Sequence, residues 1–504
     1  MKSPEPASAA IRALQFARLH WAMILGLSGL CLVPCYWHRR IEAGDLGSHE
    51  YNAWLALLAE HGRAPGLYLV RQWNNVLVDV GLSWLGSFVG FAVAEKVVVS
   101  TCVLCFFWGA FALIAAFTQR PPWVLLPAIA MIAYGYTFYA GFMNYYLSVG
   151  LAFWAMALFL RGTRIEWILG AGLATLAFIA HPIGFGVLLA TVAYTQLAEM
   201  AGGRYRWFVL ILACLILCGV HFWLLRFRTE PTLGAHGLLM TGADQLMLFG
   251  TRYKFFSRVV FFLGSLGFVV AVIRDRQKLS SLLPRVWTPL TLWGLFVANA
   301  VLLPGAIWLP QYVNAISATA TRMTSVTAIF ALCILGFLRP RRWILAGGIA
   351  CATIFFSLQY QDTGTLNRME QQAETLVSTL PYGSRVSYTL ELSEPSRVNF
   401  RHFVDRVCIG KCFAYSNYEP GSGQFRIRIS PTGSSIVSTS SLAMELGEYV
   451  VRSADLPMAQ IYQPDEADLT KLAIRNLTPG EKNGRLGHHP APSEIVDRLP
   501  TPSK

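Results

Sequence analysis

The stretch VVVSTCVLCFFWGAFALIAAF, residues 97–117, decides the fold class because it runs without a charged residue over a length that crosses a bilayer. An α-helix needs about 20 mainly apolar residues to span the hydrocarbon core. Similar stretches recur along the 504-residue chain, which is 54% hydrophobic and 14% charged and has a mean hydropathy of +0.46. Soluble domains carry about 25% charged residues. The sequence therefore predicts an all-α polytopic membrane protein.

Eleven transmembrane helices are expected from these apolar runs. They lie at about 19–37, 93–117, 122–139, 144–160, 165–181, 183–200, 207–225, 259–273, 287–304, 323–338 and 343–358. With this count, Arg120, Arg204, Arg285 and Arg341 all fall in loops on the same side as the N-terminus. Because basic loops stay in the cytoplasm, the N-terminus is predicted inside and the C-terminal part outside.

Composition divides the chain into four predicted parts: 1–18 as a cytoplasmic N-terminus, 19–358 as the membrane domain, 359–490 as an α/β domain, and 491–504 as a disordered tail. The membrane domain includes a long first outer loop, 38–92, in which two interfacial helices are expected. The small extracytoplasmic α/β domain is inferred from the amphipathic LNRMEQQAETLVSTL and from three strand-like runs. These runs are RVSYTL, FRIRIS and SSIVSTS.

The formal charge of +13 does not indicate nucleic acid, because much of it lies in short loops where it sets topology. Some cations nevertheless fall on the predicted outer side, among them Arg252, Lys254 and Arg258, and Arg322 opens the tenth span close to Tyr312. A guanidinium binds phosphate in a bidentate manner, so these residues are candidate ligands for an anionic substrate. The alternative is that they anchor the helices at the lipid headgroups.

The first outer loop begins with GDLGSHEYNAWLALLAEHG, residues 44–62, which places several proton-transfer groups directly after the first span. Asp45 is predicted to lie at the membrane boundary, where a carboxylate acts as a general base toward a hydroxyl. His49 and Glu50 follow in the first turns of a helix and are further catalytic candidates. The alternative is that these side chains are solvated or cap the helix. The sequence assigns Asp79, in the second interfacial helix, no part in the site.

The layout resembles that of the GT-C glycosyltransferases over about residues 15–360. The features that carry the resemblance are AGDLGSHEYNAWLALLAEHG after the first span, with Asp45 matching the acid of the family, and a C-terminal domain outside the membrane. The most similar branch contains the bacterial relatives of protein O-mannosyltransferases and lipid A aminoarabinose transferases.

This resemblance implies a transferase in the bacterial inner membrane that moves a sugar from a polyprenyl-phosphate donor to a lipid, glycan or protein acceptor on the outer face. Membrane lipids are the other expected partners. Many relatives have a second acid between the third and fourth spans, where this chain has Asn144, a candidate substrate ligand. A metal site is not identified, although a divalent cation is left open as a cofactor.

Two other function classes remain open. One is a non-catalytic transporter or flippase for a lipid-linked glycan, although no internal repeat is visible. The other is a membrane scaffold or sensor. Of the ten cysteines, Cys408 and Cys412 lie in the predicted outer domain around a glycine turn, where a disulfide is expected. Cys102 and Cys105 are expected to be packing residues rather than a metal or redox pair.

Overall fold

The computed structural model describes residues 9–230, 241–274, 277, 279–338, 342–391, 398–465 and 467–484. This part of the chain is mostly helical, with a few small sheets, as expected for a helical membrane protein. Seven of the described helices are long and apolar enough to cross a membrane: Arg18–Tyr36, Phe91–Thr118, Pro182–Ala201, Gly203–Leu224, Gly250–Arg274, Thr319–Phe337 and Trp343–Ser378. The predicted tail, 491–504, lies outside the described residues.

The helices are numbered in chain order. They are α1 Ala9–Tyr36, α2 Leu46–Glu60, α3 Leu77–Val89, α4 Phe91–Thr118, α5 Leu126–Ala133, α6 Tyr136–Tyr139, α7 Met143–Phe159, α8 Arg164–Ala180, α9 Pro182–Ala201, α10 Arg206–Leu224, α11 Gly250–Arg274, α12 Leu279–Leu302, α13 Thr319–Phe337, α14 Arg342–Ser378, α15 Phe403–Val407, α16 Glu419–Ser422 and α17 Ser441–Glu445.

The predicted count of eleven spans is not confirmed. The run 122–139 is broken, because α5 ends at Ala133 and α6 begins only at Tyr136, after the extended Gly135. Helices α7 and α8 have 17 residues each, and α12 contains Pro284 and Pro289. Proline removes a helical hydrogen bond and bends the helix. These four segments are helical but are not among the seven that meet the length and hydropathy of a span.

The strands form three small sheets. They are β1 Leu67–Leu69, β2 Arg228–Glu230, β3 Ala306–Trp308, β4 Ile316–Ser317, β5 Arg385–Thr389, β6 Phe413–Ala414, β7 Ile427–Ile429, β8 Met458–Tyr462 and β9 Ala473–Asn476. One sheet has the order β6-β5-β8-β9, another β2-β3-β4, and the third pairs β1 with β7. The strands expected in RVSYTL and FRIRIS are present. The prediction of a strand in SSIVSTS, residues 434–440, is wrong, because this run forms bends and turns.

Helix α14 does not end where the composition changes, near residue 358, but continues to Ser378. Its first half is apolar, and its second half carries a buried face that includes Leu366, Met369 and Ala373. The helix therefore runs from the apolar bundle into the C-terminal segment, which we define as residues 379–484.

The first loop and the C-terminal segment pack against each other. Strand β1 pairs antiparallel with β7, with Leu67 opposite Ile429 and Leu69 opposite Ile427. Tyr51 on α2 accepts a hydrogen bond at its hydroxyl from the backbone N–H of Ala414, at 2.9 Å. Residues of the bundle and of the C-terminal segment share one apolar core. This packing brings the Asp45 loop and the C-terminal segment to the same place.

Candidate functional site

Three glycines let three chain segments meet at Asp45. A Cβ atom on Gly44 would lie 2.5 Å from the carbonyl oxygen of Ala140, and one on Gly47 would collide with the carbonyl of His402. Gly141 has φ +80°, and a Cβ there would collide with the backbone nitrogen of Asp45. Only glycine allows such close backbone approach at low cost. Hydrogen bonds from the N–H groups of Gly44 and Asp45 to the 139–140 turn hold the loop in place.

Asp45 has the free, accessible carboxylate of this site. It precedes α2 but makes no side-chain capping hydrogen bond, and its side chain is 26% exposed. Its nearest charged partner in the described chain is Nε2 of His402, 3.8 Å from Oδ1. The capping role left open by the sequence is therefore absent. A partly exposed carboxylate whose oxygens accept no hydrogen bond can take a proton from a bound hydroxyl.

His402 comes from the turn before α15, in the C-terminal segment. Its Nδ1 lies 3.0 Å from Oδ2 of Asp405 and 3.2 Å from the hydroxyl of Tyr388. Burial opposes the charged imidazole, but the hydrogen bond to Asp405 and nearby carboxylates outweigh it and raise the pKa of His402 to about 9. His402 is therefore an imidazolium at neutral pH and places a positive charge beside Asp45.

Arg322, the predicted phosphate ligand on α13, lies within electrostatic range of Asp45 and of Tyr418. Its guanidinium carbon stacks 3.8 Å from the ring centroid of Phe142. Its Nε is buried and has no hydrogen-bond partner in the described structure. The guanidinium forms no ion pair there either, so its donors remain available for an anion. A planar guanidinium held against an aromatic ring is well suited to bind phosphate.

His49 is buried and belongs to a charged network with Asp79 and Glu419. Its Nδ1 lies 2.8 Å from Oδ1 of Asp79 and 3.8 Å from Oε1 of Glu419. Burial opposes protonation, yet Asp79 raises the pKa of His49 to about 10. Burial raises the pKa of Glu419 to about 7, although His49 works against this rise. His49 was predicted to be catalytic, but its burial leaves it to act on Asp45 only through charge.

Glu50 and Asn144 also occupy places that differ from their predicted roles. Five residues along α2 from Asp45, Glu50 points about 140° away. It is fully buried and lies 3.3 Å from the guanidinium of Arg40, so it does not face a substrate beside Asp45. The amide of Asn144 donates to Asp79 at 2.8 Å and accepts from the N–H of Val78 at 2.8 Å. Asn144 therefore fixes α3 to α7 and contacts Asp79 rather than a position beside Asp45.

The other predicted anion ligands do not meet Asp45. Arg252 is paired with Asp362 at 2.7 Å. Lys254 and Arg258, further along α11, make no polar side-chain contact with any described residue. Tyr312 is half-buried beside Gly423 and lies within electrostatic range of Arg428. Among the six predicted substrate ligands, Arg322 is the one for which an electrostatic interaction with Asp45 is observed in the described structure.

Cys408 and Cys412 form a disulfide bond directly after α15. Backbone hydrogen bonds from Cys412 and Lys411 to the carbonyl of Cys408 close the same turn. The bond lies next to the short helix that presents His402 and Asp405. The remaining cysteines, including Cys102 and Cys105, are free thiols.

Sequence reasoning missed His402, Asp79 and Glu419. Asp79 gave one signal, since it is a charged residue inside the otherwise apolar α3 and such residues are rarely left unpaired. His402 and Glu419 lie in a loop-rich segment, where no apolar helix surrounds them to make a charged residue conspicuous in the sequence. Their place in the site follows from long-range packing alone.

In the described residues, no three or more His, Cys, Asp or Glu side chains are arranged to hold a metal ion. The chain matches no family model, no curated protein and no solved structure.

Proposed function

We propose that this chain is an integral-membrane glycosyltransferase that moves a sugar from a polyprenyl-phosphate donor to a lipid, glycan or protein acceptor. The observation that carries the proposal is the partly exposed Asp45 carboxylate, next to imidazolium His402 and within electrostatic range of Arg322. Neither Asp45 nor Arg322 has a side-chain hydrogen bond to any residue that the structure describes. This transfer needs a base beside a cationic side chain that is available to bind the phosphate of the donor. The resemblance of the Asp45 loop to that of GT-C enzymes supports the same conclusion.

In the proposed reaction, the oxygen of an acceptor hydroxyl attacks the anomeric carbon of the sugar. The bond from that carbon to the phosphate oxygen breaks, and its electron pair stays on the phosphate. Asp45 takes the proton of the hydroxyl, and Arg322 stabilises the negative charge that grows on the phosphate. Fixed donors aimed at developing charge often contribute most to catalysis. The stacking of Arg322 on Phe142 limits its motion and so keeps the donors in place.

The proposed location is the bacterial inner membrane, with the N-terminus in the cytoplasm and with Asp45 and the C-terminal segment on the periplasmic side. This orientation follows from the basic loops of the sequence. It places the reaction where a translocated polyprenyl-phosphate sugar is available.

The test begins with a deletion strain of the native host, whose lipid extract should accumulate the unused polyprenyl-phosphate sugar. That lipid, purified and radiolabelled, then serves as the donor for membranes that carry the wild-type protein or Asp45→Asn. A positioned base contributes about 10²–10⁴-fold, so Asp45→Asn should slow transfer at least about a hundredfold. Glu60→Gln, at the exposed end of the same helix, is the matched control and should transfer normally.

Near-normal transfer by Asp45→Asn would show that the carboxylate is not the base. Absence of any labelled product, together with movement of the lipid across vesicles that contain the purified protein, would favour the flippase alternative and overturn the enzyme proposal.

A further inference from the structure

Arg406, on α15, is among the largest side chains that are fully buried in the described structure. Its Nε donates to Glu370 at 2.9 Å, and its Nη2 contacts the same carboxylate. Its Nη1 donates to Glu95 on α4 and to the carbonyl of Ile41, each at 3.1 Å. A buried guanidinium is tolerated only when it is paired in this way. Arg406 thus ties the C-terminal segment to α4 and α14.

The same guanidinium contacts both ends of the loop that carries Asp45. Its Nη2 lies 3.5 Å from Glu42, three residues before Asp45. Its Nε lies 3.7 Å from Glu50, five residues after Asp45. Residues 42–50, defined here as the Asp45 loop, are therefore held before and after the candidate base by one side chain.

The charges of this cluster explain why the contacts persist. Four carboxyl groups, those of Glu42, Glu50, Glu95 and Glu370, surround the guanidinium groups of Arg40 and Arg406. Burial, followed by the charge of neighbouring carboxylates, raises the pKa values of Glu42 and Glu50 well above their usual range. The positive charge of Arg406 acts in the opposite direction, because it favours the ionised form of both carboxyl groups.

We propose that Arg406 is the positioning residue of the site, and that it sets the place of Asp45 by holding both ends of the Asp45 loop. One short element then acts at three points, because His402 lies four residues before Arg406 and contacts Asp45 itself. The inference deepens the proposed function, since Asp45 needs accurate placement only if it reacts with a substrate. The contacts of Arg406 do not depend on which reaction that is.

The test is amide hydrogen exchange, read by mass spectrometry on the full-length protein in detergent. Arg406→Met should speed the exchange of residues 41–50 at least about tenfold, because the loop opens more often. Arg406→Lys should fall between this variant and the wild type, since a point charge cannot hold several carboxyl groups as a planar fork does. Arg428→Met, which truncates a half-buried arginine of β7 with no ion pair in the described chain, is the control and should leave the loop unchanged.

If Arg406→Met does not fold, the same exchange experiment is done with Glu42→Ala, which releases only one end of the Asp45 loop. Exchange should then rise more in residues 41–45 than in 46–50, a gradient that general destabilisation would not produce. In transfer assays with the accumulated lipid, Arg406→Lys should lower kcat while KM for the donor, which is assigned to Arg322, stays within about twofold.

Two results would overturn the positioning role. One is a wild-type exchange rate of residues 41–50 in Arg406→Met. The other is an exchange rate that rises equally in residues 41–45 and 46–50 of Glu42→Ala. Normal transfer by Asp45→Asn would instead reject the proposed reaction while leaving the exchange result to decide the role of Arg406.

Discussion

The imidazole of His402 lies 3.8 Å from the carboxylate of Asp45, although the two residues come from near opposite ends of the chain. The contact exists because Gly47 lets α2 approach the backbone of His402 closely. The candidate site is therefore built jointly by the first loop and the C-terminal segment. Residues predicted to form a separate outer domain supply one of the charges beside the candidate base.

Replacing Arg322 should weaken donor binding selectively. A hydrogen bond to a charged group contributes about 1.5–3 kcal/mol, which corresponds to roughly 10- to 150-fold in affinity. We expect Arg322→Gln to raise the Kd of a short prenyl phosphate by that factor, as measured by phosphorus NMR titration. Arg258→Gln, which changes an exposed arginine without polar contacts, should bind the probe normally. Equal weakening in both variants would assign the effect to general surface charge.

Asp79→Asn should destabilise the protein, although sequence analysis assigned Asp79 no part in the site. The change removes the closest charged partner of buried His49, at 2.8 Å, and leaves only Glu419 at 3.8 Å. Breaking a buried charge pair costs about 3–5 kcal/mol. The expected observation is a lower thermal unfolding midpoint in detergent. Glu60→Gln, an exposed carboxylate of α2, should unfold like the wild type. An unchanged midpoint in Asp79→Asn would mean that the pair adds no net stability.

Alkaline pH should weaken the protein through His49 and His402. Both pKa values are raised, to about 10 and about 9, so their stabilisation is complete below pH ~6.5 and is lost as the pH rises through those values. The charges that face His402 come from Asp45, Asp405 and Glu445. The free energy of unfolding should fall between pH 7 and 10, by up to about 1.4 kcal/mol per pH unit for each group, and the thermal unfolding midpoint should fall with it.

The same measurement on the double variant His49→Gln, Asp79→Asn should give a shallower pH dependence, because an uncharged pair replaces the ion pair. His61→Gln, which changes an exposed histidine just after α2, should keep the wild-type slope. Identical slopes in all three proteins would exclude His49 as a source of the pH dependence.

Gly47→Ala and Gly172→Ala form a matched pair of helical substitutions. Alanine is preferred to glycine in the middle of a helix by about 0.5–1 kcal/mol, a gain that applies to Gly172 in the middle of α8 and in smaller part to Gly47 in the first turn of α2. At Gly172 the new methyl group meets nothing within 4 Å, whereas at Gly47 it collides with the backbone of His402. Gly172→Ala should therefore keep or raise the unfolding midpoint, and Gly47→Ala should lower it and slow transfer. A stabilised Gly47→Ala would show that α2 and His402 can separate without loss.

The sequence was informative where the signal is local. Apolar runs locate most of the helices, and the polar cluster after the first span identifies Asp45, which has the accessible carboxylate of the site. The sequence was less informative about the direction in which neighbouring side chains of one helix point. Glu50 follows His49 directly in the sequence, but the turn of α2 directs Glu50 to the Arg406 cluster. Helical geometry alone separates these roles, once the start of α2 is known.

Long-range pairs could not be read from the chain. Nothing in RHFVDRV indicates that His402 reaches the first loop or that Arg406 meets four carboxyl groups from distant segments. The predicted border near residue 358 follows composition, yet α14 crosses it as one helix. A change from apolar to amphipathic sequence marks where a helix changes its surroundings. The backbone hydrogen bonds of the helix form on both sides of that border, so the helix does not end there.

The pairing of β1 with β7 determines when this protein can finish folding. Strand β1 leaves the ribosome early, but its partner is made only after nearly all the membrane helices. During that interval β1 exposes an unpaired edge, which is a template for aggregation. A chain that stops before residue 427 lacks β7 and cannot close this edge. Quality-control proteases should therefore remove prematurely terminated chains as misfolded protein, since insertion of the helices alone does not complete the molecule.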